Sequence, residues 1–281
     1  MSVPSQKQKA ELFRQLHAGP VILVLPNAWD VVSARILEDL GYPAIATTSA
    51  GVAAVLGYPD GQHVPREEML QAVRRIAEAV HVPVTADMEA GYGPTPQQVA
   101  DTAVDVLKAG AIGMNLEDVT EETANLQVAL PLQVEKIKAI RKAVSSLDIP
   151  LVLNARTDIY LNSIGELETR YERTVERLQA YRRAGADCLF APGISDRATI
   201  ARLVATIDGP LNILISPGCP SLIELEALGV SRASTGSTAM RATLGLLRRI
   251  GRELLETGVY SHLFEGALPY TEVNQILAHR K

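Results

Sequence analysis

Val82-Pro83-Val84-Thr85-Ala86-Asp87 is a short apolar run that ends in an acid, and Glu89-Ala90-Gly91-Tyr92-Gly93 follows it closely. Pro96–Ala109 then has helical period and stops at Gly110, before a second apolar run at Ile112–Glu117. Strand, helix and strand in so short a span make a βαβ unit, because parallel strands need a crossover that is usually helical.

The same alternation extends in both directions. Further strand candidates are Val21–Pro26, Ala44–Thr48, Leu151–Arg156, Cys188–Ala191, Asn212–Ser216 and Arg232–Thr235. The helix candidates are Val31–Leu40, Arg66–Val80, Pro96–Ala109, Leu132–Val144, Leu167–Ala184, Arg197–Ile207, Ser221–Leu228 and Ala239–Leu255. Eight strand–helix units in about 250 residues match a closed (β/α)8 TIM barrel, with an open doubly wound sheet as the alternative. Gly41, Gly110, Gly185 and Gly229 stand where left-handed helix caps precede a strand, and Thr95-Pro96-Gln97-Gln98 reads as a capping box. No linker or charge run divides the chain, so residues 1–281 read as a single barrel domain with a C-terminal helical extension from about 257. Leu263, Phe264 and Leu268 give that tail an apolar face suited to a partner subunit.

Composition narrows the function. The 281 residues are 47% hydrophobic and 21% charged, with 27 Lys plus Arg against 32 Asp plus Glu, a net charge of −5. Such a chain has a core, and it has no basic stripe for nucleic acid. Two cysteines, Cys188 and Cys219, are too few for a disulfide framework or a structural zinc site. No apolar stretch is long enough to span a membrane, and Met1–Glu11 has no apolar core of a signal peptide. The expectation is a cytoplasmic protein without nucleic-acid or membrane partners.

In a (β/α)8 barrel the chemistry sits at the C-terminal strand ends. Those ends carry Asn27 and Asp30, Thr48 and Ser49, Asp87 and Glu89, Asn115, Glu117 and Asp118, then Asn154, Arg156 and Asp158, and finally Thr235, Gly236 and Ser237. Strand alternation puts Thr85 with Asp87, Asn115 with Glu117 and Asn154 with Arg156 on the faces toward the barrel axis. Asp87 and Glu117 therefore converge at one mouth opposite Arg156, and Asp60 of Gly57-Tyr58-Pro59-Asp60-Gly61 adds a further acid. Two carboxylates about 6 Å apart at an effective dielectric near 20 repel by roughly 3 kcal/mol. Protonation, pairing with arginine, or a hard divalent cation such as Mg²⁺ resolves that crowding, and Mg²⁺ suits oxygen ligands. Arg156 can take a substrate carboxylate bidentately or form an internal salt bridge with Asp158 or Glu117. Amides of Thr48-Ser49-Ala50-Gly51 can donate to a developing oxyanion, chemistry that favours an enolate beside a carboxylate. His63 is the histidine nearest the mouth. Cys219, in Ser216-Pro217-Gly218-Cys219-Pro220, faces it without an evident activating neighbour, and Cys188 reads as core.

These motifs resemble the isocitrate lyase/phosphoenolpyruvate mutase superfamily. The resemblance is carried by Leu25-Pro26-Asn27-Ala28-Trp29-Asp30, Thr48-Ser49-Ala50-Gly51 with Gly57-Tyr58-Pro59-Asp60, Ala86-Asp87-Met88-Glu89-Ala90-Gly91-Tyr92-Gly93, Asn115-Leu116-Glu117-Asp118 and Asn154-Ala155-Arg156-Thr157-Asp158, in the family's order. It implies a barrel whose last helix is exchanged between subunits of a homo-oligomer, a dimer or tetramer. It implies Mg²⁺ (or Mn²⁺) on Asp87, with Glu89, Glu117 and Asp60 acting largely through water. Thr48, Ser49 and Ala50 match the segment that binds carboxylate and enolate oxygen, and Arg156 matches the arginine clamp. The lyase loop's Lys-Lys/Arg-Cys-Gly-His run is absent from Asp118-Val119-Thr120-Glu121-Glu122-Thr123-Ala124-Asn125. The resemblance then implies the branch acting on the C–C bond of a small α-oxo or hydroxy carboxylate, methylisocitrate lyase-like or oxaloacetate decarboxylase/hydrolase-like, with Thr120–Leu130 as lid. A P–C bond enzyme and a non-catalytic oxo-acid-binding barrel are the competing readings.

Overall fold

Pro26 divides the first strand, and the barrel closes across that division. In the computed structural model, which describes residues 4–120 and 127–278, β1 (Leu23–Leu25) pairs with β9 (Arg232–Ser234). On the other side of Pro26, β2 (Asn27–Ala28) pairs with β3 (Ile45–Thr47). Proline has no amide hydrogen to donate, yet its carbonyl still accepts from Ala46 N at 2.9 Å. The remaining strands are β4 (Val84–Asp87), β5 (Gly113–Leu116), β6 (Val152–Arg156), β7 (Cys188–Phe190) and β8 (Leu211–Leu214). All pairings are parallel, in the order β1-β9-β8-β7-β6-β5-β4-β3-β2. The two sheet ends are consecutive pieces of one bent strand, so the sheet is the expected (β/α)8 barrel and the open alternative falls.

All eight expected barrel helices form: α2 (Val31–Asp39), α4 (Arg66–Ala79), α5 (Pro96–Lys108), α6 (Leu130–Val144), α7 (Leu167–Ala184), α8 (Arg197–Thr206), α9 (Leu222–Ala227) and α10 (Thr238–Thr257). The four cap glycines have φ between 87° and 113°, and Thr95 and Gln98 make their reciprocal capping bonds. Two further helices were not expected. The first, α1 (Gln6–Ala18), begins with a Ser5–Gln8 capping box and buries only Ala10, Phe13 and His17, a stripe too thin to stand out in a polar segment. Ala10 and Phe13 plug the barrel floor against Leu23, Leu25, Ala44, Ala46, Ile112 and Val152. The second, α3 (Ser49–Leu56), is apolar on nearly every side and has no helical period to detect.

Met114, Leu116, Leu153 and Ala155 point outward into the layer between strands and helices, as alternation requires. The tail forms α11 (Ser261–Phe264) and α12 (Tyr270–Ala278); α12 contacts α2 of its own chain, while Leu263, Phe264 and Leu268 remain exposed. By contrast α10 buries only Met240, leaving Leu244, Leu247, Leu254 and Leu255 exposed. Of the expected lid, residues 121–126 lie outside the described residues. Among the described residues, no helix is long and apolar enough to cross a membrane.

Candidate active site

Asp87 ends β4 beside Asn115 on β5, which in turn lies beside Asn154 on β6. That register makes a hydrogen-bonded row, Asn154 Nδ2 to Asn115 Oδ1 at 2.8 Å and Asn115 Nδ2 to Asp87 Oδ1 at 3.2 Å. The other Asp87 oxygen, Oδ2, accepts from both the amide (3.0 Å) and the hydroxyl (2.9 Å) of Ser49. The first turn of α3 therefore presents an amide to a carboxylate, as an anion-binding helix N-terminus does. Thr48 caps that helix, with its hydroxyl accepting from Gly51 N at 3.4 Å.

The remaining acids crowd around this point. Glu89 is 3% exposed, and burial, then the charges of Asp87 and Asp60, push its carboxyl up to about 8. Burial and Asp87 also raise Asp60. Glu117 lies well above its usual value because of burial, which Arg156 only partly opposes while Asp158, Asp87 and Glu89 reinforce it. Tyr92 donates its phenol to Glu89 Oε1 at 3.4 Å, and its own ionisation is suppressed by burial and by that carboxylate. The backbone is bent to achieve this. Gln62, Glu89 and Tyr92 all have φ between 51° and 62°, left-handed values that cost a non-glycine residue energy. Gly91, at φ 91°, completes the turn.

Arg156 faces the acids from β6. Its Nε and Nη2 contact the two oxygens of Asp158 at 2.6 and 3.0 Å, and Nη1 stands 2.8 Å from Glu117 Oε2. Phe190 lies beneath the guanidinium, 5.7 Å from ring centroid to Cζ. Both internal partners weighed from sequence are thus engaged at once. A guanidinium has five N–H donors, so about two remain for a ligand. Asp158 is fixed by Asp118, whose Oδ1 accepts from Asp158 N at 3.1 Å. Asp118 is buried and also receives Tyr181, Arg177 and Gln127, tying the base of the loop after β5 to the arginine.

The structure thus brings Ser49, Asp60, Asp87, Glu89, Glu117 and Arg156 to one mouth. Thr48 serves differently from expectation: its amide donates to Ala28 O at 3.0 Å within the barrel ladder and has no hydrogen left for an oxyanion. Ala50, in the first turn of α3, has an amide without an intrahelical acceptor. Asp30 caps α2, His63 is exposed, and Cys219 Sγ lies against the Ile194 and Leu214 carbonyls. Tyr92 and the Asp118–Asp158 link escaped sequence reading, because neither a phenol after a glycine nor an acid following a strand end announces its partner.

Among the described residues, no three His, Cys, Asp or Glu side chains form a ready metal cage. The donor set nevertheless fits a hydrated hard cation. Mg²⁺ commonly takes one or two carboxylates and keeps its waters. The upward displacement of Glu89, Asp60 and Glu117 also marks a surplus of negative charge that a dication would neutralise.

A Burkholderia cenocepacia protein whose crystal structure is described as that of a lyase/mutase superposes with a TM-score of 0.91 at 38% identity, covering 97% of each chain. Oxaloacetate acetylhydrolase bound to its product oxalate superposes with a TM-score of 0.84 at 27% identity, covering 96% of this chain and 94% of that one. The oxaloacetate decarboxylase of Chromohalobacter salexigens is 31% identical over 262 residues, 88% of this chain and 87% of its own. The phosphoenolpyruvate phosphomutase family profile matches residues 13–255, and with that match over most of its length the chain belongs to this family, within the isocitrate lyase/phosphoenolpyruvate mutase superfamily.

Proposed function

We propose that this protein is a Mg²⁺-dependent (or Mn²⁺-dependent) carbon–carbon lyase that acts on a small α-oxo or hydroxy carboxylate through an enolate, with oxaloacetate the first substrate to test. The observation that carries the reading is the gathering of Asp87, Glu89, Glu117 and Asp60 opposite Arg156 at one barrel mouth. Asp87, with Glu89, Glu117 and Asp60 through water, would hold the ion. When bound, the ion would polarise a carbonyl and carboxylate oxygen and stabilise negative charge there. Arg156 positions the substrate carboxylate with the N–H groups that Asp158 and Glu117 leave over. Ser49 holds the Asp87 carboxylate with its amide and hydroxyl, which leaves the amide of Ala50, at the positive end of α3, for the oxygen on which charge accumulates. In decarboxylation the bond to the leaving carboxylate breaks, its electron pair passes to the enolate oxygen, carbon dioxide departs, and a proton on carbon completes the product.

Relatives named as oxaloacetate decarboxylase and oxaloacetate acetylhydrolase support the carbon–carbon reading. The family's phosphomutase description supports a second reading, P–C bond chemistry on phosphonopyruvate. Incubating the protein with each compound, with and without Mg²⁺, separates the two. Pyruvate or oxalate from oxaloacetate, lost with chelator and with Asp87→Ala, supports the first, whereas inorganic phosphate from phosphonopyruvate replaces it with the second. We further place the enzyme in the cytoplasm as a homo-oligomer, with the uncovered face of α10 docking on a second copy, which light scattering tests directly.

A further inference from the structure

A cavity of about 510 Å³ adjoins the acidic mouth and shares its wall, through Gly61 next to Asp60 and through Tyr92, whose phenol donates to Glu89. Lys136 of α6 lines this cavity. Its side chain is 1% exposed, and it has no hydrogen bond or ion pair with any described residue. Buried lysines are normally paired, because an isolated charge away from water is expensive. Among the described residues nothing offsets that cost, and burial lowers the amine below its usual value. No other described residue lining the cavity is charged. At the mouth itself, among the described residues, the cation facing the acids is Arg156, already committed to two carboxylates. A substrate that places its α-oxo carboxylate at Arg156 and the proposed cation can turn a further, remote acidic group along the Tyr92 wall toward Lys136. Gln62 helps on the same wall: its Oε1 accepts from Tyr92 N at 2.9 Å, leaving its amide NH₂ as a donor.

From this arrangement we infer that Lys136 forms a carboxylate subsite, binding the acidic group of the substrate remote from the reacting carbon and selecting oxo acids that carry one. The inference rests on the oxo-acid reading proposed above and concerns oxo acids longer than oxaloacetate, whose second carboxylate is the one that leaves. It makes Lys136 a specificity residue that touches substrate without taking part in bond cleavage.

The test compares two probes with the same α-oxo acid head, 2-oxoglutarate with a remote carboxylate and 2-oxobutyrate without one, by calorimetry on the Mg²⁺-loaded protein. Wild type should favour 2-oxoglutarate by about tenfold to a hundredfold, the scale of one charge-assisted hydrogen bond. Lys136→Met should erase that preference and leave 2-oxobutyrate affinity within about twofold, while Lys136→Arg retains part of it. A wild-type protein that binds both probes equally overturns the subsite without any variant having to fold. So does an undiminished preference in Lys136→Met. Wild type that binds neither probe fails differently: it removes the oxo-acid reading, and the subsite with it.

Discussion

Arg156 is gripped side-on by Asp158, Nε to Oδ1 at 2.6 Å and Nη2 to Oδ2 at 3.0 Å, so its orientation is set by a residue that need not touch substrate. The planar fork matters as much as the charge, and lysine cannot reproduce it. Arg156→Lys should lower kcat/KM by about a hundredfold, the scale of losing a charged hydrogen bond. Asp158→Ala leaves a buried cation short of a partner and should destabilise the fold by roughly 3 kcal/mol. Steady-state kinetics with denaturant melts checks both. Wild-type kinetics in Arg156→Lys would remove the arginine from substrate binding.

Ser49 spends both its amide and its hydroxyl on Asp87 Oδ2. Ser49→Ala removes the hydroxyl bond and keeps the amide, a change worth about 1 kcal/mol. Mg²⁺ affinity should shift severalfold in Ser49→Ala and vanish in Asp87→Ala. Titration with Mn²⁺ followed by electron paramagnetic resonance measures the bound fraction directly, and equal Mn²⁺ binding by Asp87→Ala and wild type would displace the metal from this residue.

Glu89, raised to about 8 by burial and by Asp87 and Asp60, is mostly protonated at neutral pH in the metal-free protein. A carboxyl raised on folding stabilises fully below its unfolded value near 4.5, and that contribution disappears as pH climbs through about 8. Metal-free protein should therefore melt progressively lower across this window, and Mg²⁺ should flatten the curve. Metal binding at pH 7 should also expel up to about one proton. Calorimetry in buffers of different ionisation enthalpy counts it, and Glu89→Gln should suppress it.

Gly91 needs both its left-handed backbone and its missing side chain. At φ 91° an added Cβ would stand 2.7 Å from Val99 Cγ1, inside any normal contact. Gly91→Ala should cost about 2 kcal/mol or more, from strain and overpacking together. It should also weaken metal binding, because the same turn aims Glu89 and Tyr92. A melt unchanged within a degree would show that the turn relaxes freely.

The barrel and the acidic row were legible because strand alternation is binary: once Ala86, Leu116 and Ala155 face the helices, Asp87, Glu117 and Arg156 must face the axis. What stayed hidden obeys no such period. Pro26 splits a strand that reads as continuous, and α3 is too uniformly apolar to show a helical face. Lys136 lies on the buried face of α6 with Gln133, Ile137 and Ile140, where a hydrophobicity pattern expects no charge. Asp158 and Glu117 each read as a partner of Arg156, but their binding it together depends on how β5 and β6 lie side by side, which no local pattern carries.

Arg232 is the other buried charge the pattern conceals. It sits on β9 in the barrel interior, 1% exposed, with Nε, Nη1 and Nη2 all lacking a protein partner. Nearby polar atoms are in the same condition, including Nδ2 of Asn212, its register neighbour on β8. Burial depresses the guanidinium to about 10, with Cys188 and Asp87 opposing weakly. A base lowered on folding is a net cost at every pH below its folded value, so at neutrality Arg232 works against stability. Buried water meets such donors in part, but an isolated buried charge is costly and an apolar side chain of similar volume carries no such cost. Arg232→Met should therefore melt at or above the wild-type temperature. It should also bind Mg²⁺ no more weakly, because a positive charge beneath Asp87 competes with the ion. A fall of several degrees would instead reveal an anion or water cluster that the guanidinium organises and that methionine cannot replace.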